Sequence, residues 1–329
     1  MELESSAPTR IDLAGGTIDI WPLYLFHEGA QTLNVAISLR ARAHVASRSD
    51  GRLAVRSRDT DHSAEAGHWS ELPTSGPLAL LCHLLRHFRA HNLTLTTRCD
   101  SPAGAGIAGS SALNVAVCAA LARWTNRQYE PEELLEIALN VEARAIGVPT
   151  GVQDYRPALY GGISAVELHA NGVQRVALDV PVDELERRLV LAYTGAPRHS
   201  GTNNWDITKR HIDGDAQVFR CFEEISDTAL TMRQALHARD WHEVGRQIAR
   251  EWNTRKRLSA GVTTPAIESL MAAARSAGAQ AAKVCGAGGG GCLFCYADPS
   301  QVPQVRRALA DGGARVLDFQ IERDGLRVG

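Results

Sequence analysis

The stretch SPAGAGIAGSSALNVAV, residues 101–117, places Gly104, Gly106 and Gly109 at the G-x-G-x-x-G spacing. A dinucleotide-binding turn with that spacing follows a buried strand, opens a helix, and is answered about 20 residues on by an acidic side chain that binds a ribose. Here Asp100, Ser101, Pro102 and Ala103 precede the first glycine. Glu130, at the right distance, sits in YEPEEL, which reads as a helix start. The ribose ligand is therefore missing. After Gly109 the run ALNVAVCAALARW has the periodicity of a buried helix. The N–H groups and positive dipole end of that helix make an anion site facing whatever the loop embraces. Ser110 and Ser111 add two hydroxyls that can reach a magnesium ion. A serine N-cap on a core helix is the plainer alternative.

The chain around this loop is long enough, at 329 residues, for two cores. Hydrophobic content of 44% and charged content of 22% are those of an ordinary soluble globular protein. A formal net charge of −2 gives no global reason to expect nucleic acid or an anionic membrane as partner, so an anionic substrate must meet local arginines. The opening MELESSAPTRIDLAGG lacks the basic and apolar regions of a signal peptide, and no apolar run is long enough to span a bilayer. A cytoplasmic protein is expected. Seven cysteines, scattered from Cys82 to Cys295, do not make a secreted disulfide framework. Cys292 and Cys295 form a C-x-x-C, but within the apolar run CLFCYA they read as part of a buried strand. Lys209, Lys256 and Lys283 are the three lysines among 35 basic residues, which singles out Lys283 beside a second glycine run.

Strands and helices alternate along the chain. PTRIDLAG and QTLNVAISLRARAHVASR read as strands, separated by GGTIDIWPLYLFHEGA. The helix PLALLCHLLRHFRAHN puts His83, His87 and His91 on one side, where a solvated face beside the Leu81, Leu84, Leu85, Phe88 stripe is favoured over a metal set. LTLTTRC is a strand delivering the glycine loop, and EPEELLEIALNVEARAIG is a helix ending at Gly147. A new apolar strand in RRLVLAYTGAPRHSGT starts a second domain, mostly helical to about residue 278, and AAKVC then enters GAGGGG. The expected architecture is α+β in two domains, residues 1–186 and 187–329.

Phosphoryl transfer needs a cradle for a polyphosphate, a metal with few protein ligands, a residue to orient or deprotonate the attacking hydroxyl, and cationic charge nearby. The loop from Gly104 to Gly109 can be the cradle, and Ser110, Ser111 and Glu142 are metal candidates. Asp154 is the candidate base, and Arg10 supplies charge. No G-x-x-x-x-G-K-[ST] occurs, which argues against a P-loop enzyme.

Three separated motifs resemble those of the GHMP small-molecule kinases, the superfamily of galactokinase, homoserine kinase, mevalonate kinase and phosphomevalonate kinase. They are APTRIDLAGG, PAGAGIAGSSA and KVCGAGGGGCLF, and the likeness covers nearly the whole chain. RIDLAGGTID, VPTGVQDYRPALYGG and REWNTRKRLSAGVTTPAIESL are most similar to the bacterial heptose 7-phosphate kinases and fucokinase domains, which phosphorylate an anomeric hydroxyl. The resemblance implies a ribosomal-protein-S5-domain-2-like N-terminal domain and a ferredoxin-like C-terminal domain. It implies ATP and Mg2+, held by Pro102, Gly104, Gly106, Gly109, Ser110 and Ser111 and buttressed by Gly286, Gly288 and Gly289. It further implies the metal at Ser111 and Glu142, catalysis by Asp154 with Arg10, and a sugar or sugar phosphate at Asp19, Gly16, Thr17, Gln153 and Lys256.

Some features depart from that pattern. The heptose kinases carry a third Gly and a Thr before the aspartate, where this chain has Thr17 and Ile18, and their Q-D-Q is Gln153, Asp154, Tyr155 here. Trp21 and Tyr24 are added near the expected sugar site. Arg198, His199, Ser200 and Lys256 are open to either a substrate phosphate or a purely surface role. A mevalonate-like acid as acceptor and a catalytically silent sugar sensor remain alternatives, and the resemblance leaves a homodimer open.

Overall fold

The computed structural model describes residues 2–197 and 200–329. Its larger sheet holds eight strands in the order β12-β1-β2-β5-β3-β4, with β6 pairing β2 and β7 pairing β6. These are β1 (Glu2–Ala14), β2 (Gln31–Ser47), β3 (Leu53–Ser57), β4 (His62–Ala66), β5 (Leu93–Cys99), β6 (Ile163–His169), β7 (Gly172–Ala177) and, from the far end of the chain, β12 (Arg327–Val328). The long β2 is shared: Gln31–Val35 pairs with β6, and Ala41–Ser47 pairs with β5. All pairings are antiparallel except that of β3 with β5.

Helices α1 (Ala79–His87), α2 (Gly109–Trp124), α3 (Pro131–Ile146) and α4 (Tyr155–Tyr160) cover one face of this sheet. Leu81, Leu84, Leu85 and Phe88 of the expected α1 stripe are buried in that core. Local signals set the ends of α3. Glu130 and Glu133 form a reciprocal cap, Pro131 takes the first turn, and Gly147 closes the helix at φ 73°. His83 departs from the expected solvated face: it is buried, with Nε2 bonded to the Thr74 carbonyl at 3.2 Å. Among the described residues, no group of three or more His, Cys, Asp or Glu could hold a metal ion.

Helix α5 (Val182–Glu186) leads to a second sheet, β11-β8-β10-β9, built from β8 (Leu189–Tyr193), β9 (Ala279–Val284), β10 (Cys292–Ala297) and β11 (Arg315–Leu317). Between β8 and β9 run α6 (Ser200–Ile212), α7 (Ala216–Ala238), α8 (Trp241–Arg255) and α9 (Pro265–Ser276). Helix α10 (Val302–Asp311) joins β10 to β11. With strands counted from β8, the order is 4-1-3-2 and fully antiparallel, the ferredoxin-like arrangement. The two-domain α+β architecture thus matches expectation, and CLFCYA is a wholly buried strand. One strand falls outside the expected 187–329 unit. β12 pairs with β1, so the chain end returns to the first sheet. No helix among the described residues is long and apolar enough to cross a membrane.

Candidate active site

The glycine loop reaches α2 through Ala108, which sits at φ 63° and offers no side-chain cap. The first N–H groups of α2 are therefore left without a side-chain cap, and Ser110 and Ser111 lie inside the first turn rather than capping it. Their hydroxyls donate to Glu142, Ser110 Oγ to Oε1 at 2.5 Å and Ser111 Oγ to Oε2 at 3.0 Å. Tyr155 Oη donates to Oε2 at 2.6 Å. Glu142 is buried in α3, and burial raises its pKa even against these three donors. A buried carboxylate backed by two hydroxyls at an uncapped helix start suits a hard divalent cation beside a phosphate chain.

Arg10, in the middle of β1, crosses to Asp154 at the start of α4. Its Nε and Nη2 both donate to Asp154 Oδ1, at 2.9 and 2.6 Å, while Nη1 donates to the Gly106 carbonyl at 3.0 Å. Among the described residues no protein donor reaches Asp154 Oδ2. Burial opposes the Arg10 charge, but Asp154 and Asp12 outweigh it and hold the guanidinium firmly protonated. Asp19 is also buried, accepting from the Gln153 N–H at 2.9 Å. Burial and the nearby Asp154 charge push its pKa up to about 6.

These groups line one cleft of ≈ 490 Å³, within the usual range for a small-molecule site. Of the expected residues, Arg10, Thr17, Asp19, Pro102, Gly104, Gly106, Gly109, Ser110, Ser111, Glu142, Gln153, Asp154 and Gly286 line it. Gly16, Gly288 and Gly289 stand behind it. The Gly16 carbonyl accepts from Arg255, and the two later glycines pack on Val262, where a Cβ on Gly288 would fall 2.2 Å from the carbonyl oxygen. Lys256 is elsewhere, 3.7 Å from Glu268 and over the Trp252 ring. Trp21 is 64% exposed and Tyr24 packs into the core with Phe222 and Ile225; Ile20 lines the cleft in their place. Arg198, His199 and the Ser200 side chain lie outside the described residues.

A buried ionic chain behind the cleft is absent from the sequence reading. Asp12 Oδ1 accepts from the Gly286 N–H at 3.0 Å, and its Oδ2 accepts from Lys283 Nζ at 3.0 Å. Lys283 lies 3.2 Å from Glu251, which holds Arg255, and Arg255 donates to Gly16 O and Thr17 Oγ1. Burial opposes the Asp12 charge, yet Lys283, Arg10 and Arg255 hold it well below the usual carboxylate range. The scarcity of lysine was the one signal in the sequence that pointed here.

A model of the GHMP kinases N terminal domain matches residues 77–162, and one of the GHMP kinases C terminal matches residues 232–315, together more than half of the chain. The chain belongs to the GHMP kinases. The D-glycero-alpha-D-manno-heptose 7-phosphate kinase of Campylobacter jejuni is 29% identical, over 99% of this chain and 98% of its own. A mevalonate kinase of Thermococcus sibiricus is 25% identical, over 100% of this chain and 98% of its own. The crystal structure of a D-glycero-D-manno-heptose 1-phosphate kinase from Bacteroides thetaiotaomicron matches with a TM-score of 0.80 at 26% identity, covering 99% of this chain and 98% of that one. This GHMP kinase is accordingly an enzyme that transfers phosphate to a hydroxyl, and its uncapped helix, Glu142 cluster and Arg10–Asp154 pair are the features in its cleft suited to that transfer.

Proposed function

We propose that this GHMP kinase uses ATP and Mg2+ to phosphorylate a hydroxyl of a sugar or sugar phosphate, the anomeric hydroxyl of a heptose 7-phosphate-like aldose by its likeness to such kinases. The observation that carries the reading is the placement of Asp19 and Asp154 in one cleft with the glycine loop. The α2 N-terminus and the loop N–H groups bind the phosphate chain. Ser111 and Glu142 would hold the metal, which would supply neutralising charge to the phosphate chain. Asp154, with Oδ1 pinned by Arg10, takes the proton of the acceptor hydroxyl on Oδ2. Asp19 accepts hydrogen bonds from other hydroxyls of the ring. Two carboxylates at the acceptor end repel the carboxylate of a mevalonate-like acid at short range and suit a polyol.

The raised pKa of Asp19 gives this reading a pH signature. Ionisation makes the carboxyl a stronger acceptor and removes the proton that competes for its second oxygen, so acceptor kcat/KM rises with pH through about 6. Stability runs the other way. A carboxyl raised from 3.8 to about 6 contributes stability below its ordinary value that is lost as pH rises through 6. Asp19→Asn is expected to lower acceptor kcat/KM at least about tenfold, since a hydrogen bond to a charged partner contributes roughly 1.5–3 kcal/mol. It should also abolish the acid limb and leave the KM for Mg-ATP unchanged. Rate profiles from pH 5 to 9 on both proteins test this, and an acid limb that persists in Asp19→Asn contradicts it.

A further inference from the structure

Thr17 lies in the left-handed region, at φ 75°, in the buried turn that leads to Asp19. A β-branched residue at that φ is strained, and such strain persists only where surrounding contacts over-determine it. Here they do. Arg255 Nη1 donates to Thr17 Oγ1 at 3.0 Å, and Nη2 donates to the Gly16 carbonyl at 2.8 Å. Arg255 is itself buried and held through its Nε by Glu251 Oε1 at 3.0 Å. Glu251 is paired with Lys283, and Lys283 with Asp12, so a continuous ionic chain from α8 and β9 grips this one turn.

Glycine takes such a φ without a steric penalty, as Gly15 does two residues earlier at φ 85°. The turn as a backbone feature therefore needs no side chain at 17. Thr17 nevertheless lines the cleft, with Asp19, Ile20 and Gln153.

We propose that Thr17 is a specificity-determining residue, strained and clamped by Arg255 so that its side chain narrows the acceptor end of the cleft and excludes aldoses with extra bulk facing the turn. This rests on the acceptor lying at Asp19, as in the function proposed above. The excluded class comprises acceptors that differ from the preferred one by an added or inverted ring substituent.

The test compares wild type, Thr17→Gly and Thr17→Ser on a panel of aldoses that differ at single ring carbons, with their terminal phosphates, measuring kcat/KM for each acceptor, KM for Mg-ATP and Tm. Serine keeps the hydroxyl for Arg255 and removes only the methyl, so it covers the case in which the glycine variant fails to fold. The expected result is a fall of at least about fivefold in the ratio of kcat/KM between preferred and rejected aldoses, with the Mg-ATP KM within about twofold of wild type. In Thr17→Gly the relief of strain is opposed by the loss of the acceptor for buried Arg255 Nη1, so Tm serves to establish that each variant is folded. A ratio that moves less than fivefold in every folded variant overturns the proposal and leaves the sugar reading standing. A wild type that phosphorylates no aldose or aldose phosphate overturns both.

Discussion

Asp154→Asn lowers kcat by about 10²–10⁴-fold while the protein stays folded and keeps its affinity for Mg-ATP. That range is what general-base assistance ordinarily contributes. The geometry makes the substitution clean. Arg10 donates twice to Oδ1, at 2.9 and 2.6 Å, and the asparagine oxygen can keep accepting from it. What disappears is the second oxygen as a proton acceptor, together with the negative charge. Steady-state kinetics on an accepted sugar, paired with calorimetric titration of Mg-ATP, separates the two effects. A variant with near-normal kcat removes Asp154 from the proton transfer.

Lys283→Met destabilises the fold by about 3–5 kcal/mol, the usual consequence of removing one partner from a buried ionic set. Lys283 is fully buried, and its Nζ bonds Asp12 Oδ2 and the Asp12 carbonyl, each at 3.0 Å, and the Leu13 carbonyl at 3.3 Å. Without the ammonium, Asp12 keeps the Gly286 N–H and a more distant Arg10 at 3.7 Å, while Glu251 keeps Arg255. The pH dependence has a definite sign. Asp12 is depressed in the folded state, so its contribution is present above the ordinary carboxylate value and is lost as pH falls below it. The variant should lose part of that acid sensitivity. Urea denaturation at pH 7 and at about pH 3, below the ordinary carboxylate value, reads both quantities, and a loss below about 1 kcal/mol at pH 7 contradicts the structural role assigned to Lys283.

Features written in a local pattern were legible in the sequence. The glycine loop and α2 occupy one continuous stretch, α3 carries both of its end signals, and the apolar run 292–297 could only be buried. Asp19, Glu142 and Asp154 were reached through motif likeness, because nothing local distinguishes a cleft aspartate from a turn aspartate. The ionic chain was not legible because its members are scattered: Asp12 and Lys283 lie 271 positions apart and meet only when the second sheet packs against β1. Helix register explains why Lys256 falls outside the cleft lining. On α8 the inward side carries Glu251, Trp252 and Arg255, so Lys256, one residue past the helix, turns to Glu268. Tyr24 stays out of the cleft for a similar reason, since its ring fills an apolar cluster with Phe222. A two-residue strand such as β12 carries no periodicity at all.

The most direct measurement is Mg2+-dependent ADP release by the purified wild-type protein over a panel of aldoses, aldose phosphates and mevalonate, with the phosphorylated position assigned by phosphorus NMR. The expected result is turnover of at least one aldose or aldose phosphate at an anomeric hydroxyl, strictly dependent on Mg2+, with none on mevalonate. Turnover of mevalonate alone, or no ADP release with any acceptor, contradicts a sugar kinase built on Asp19 and Asp154.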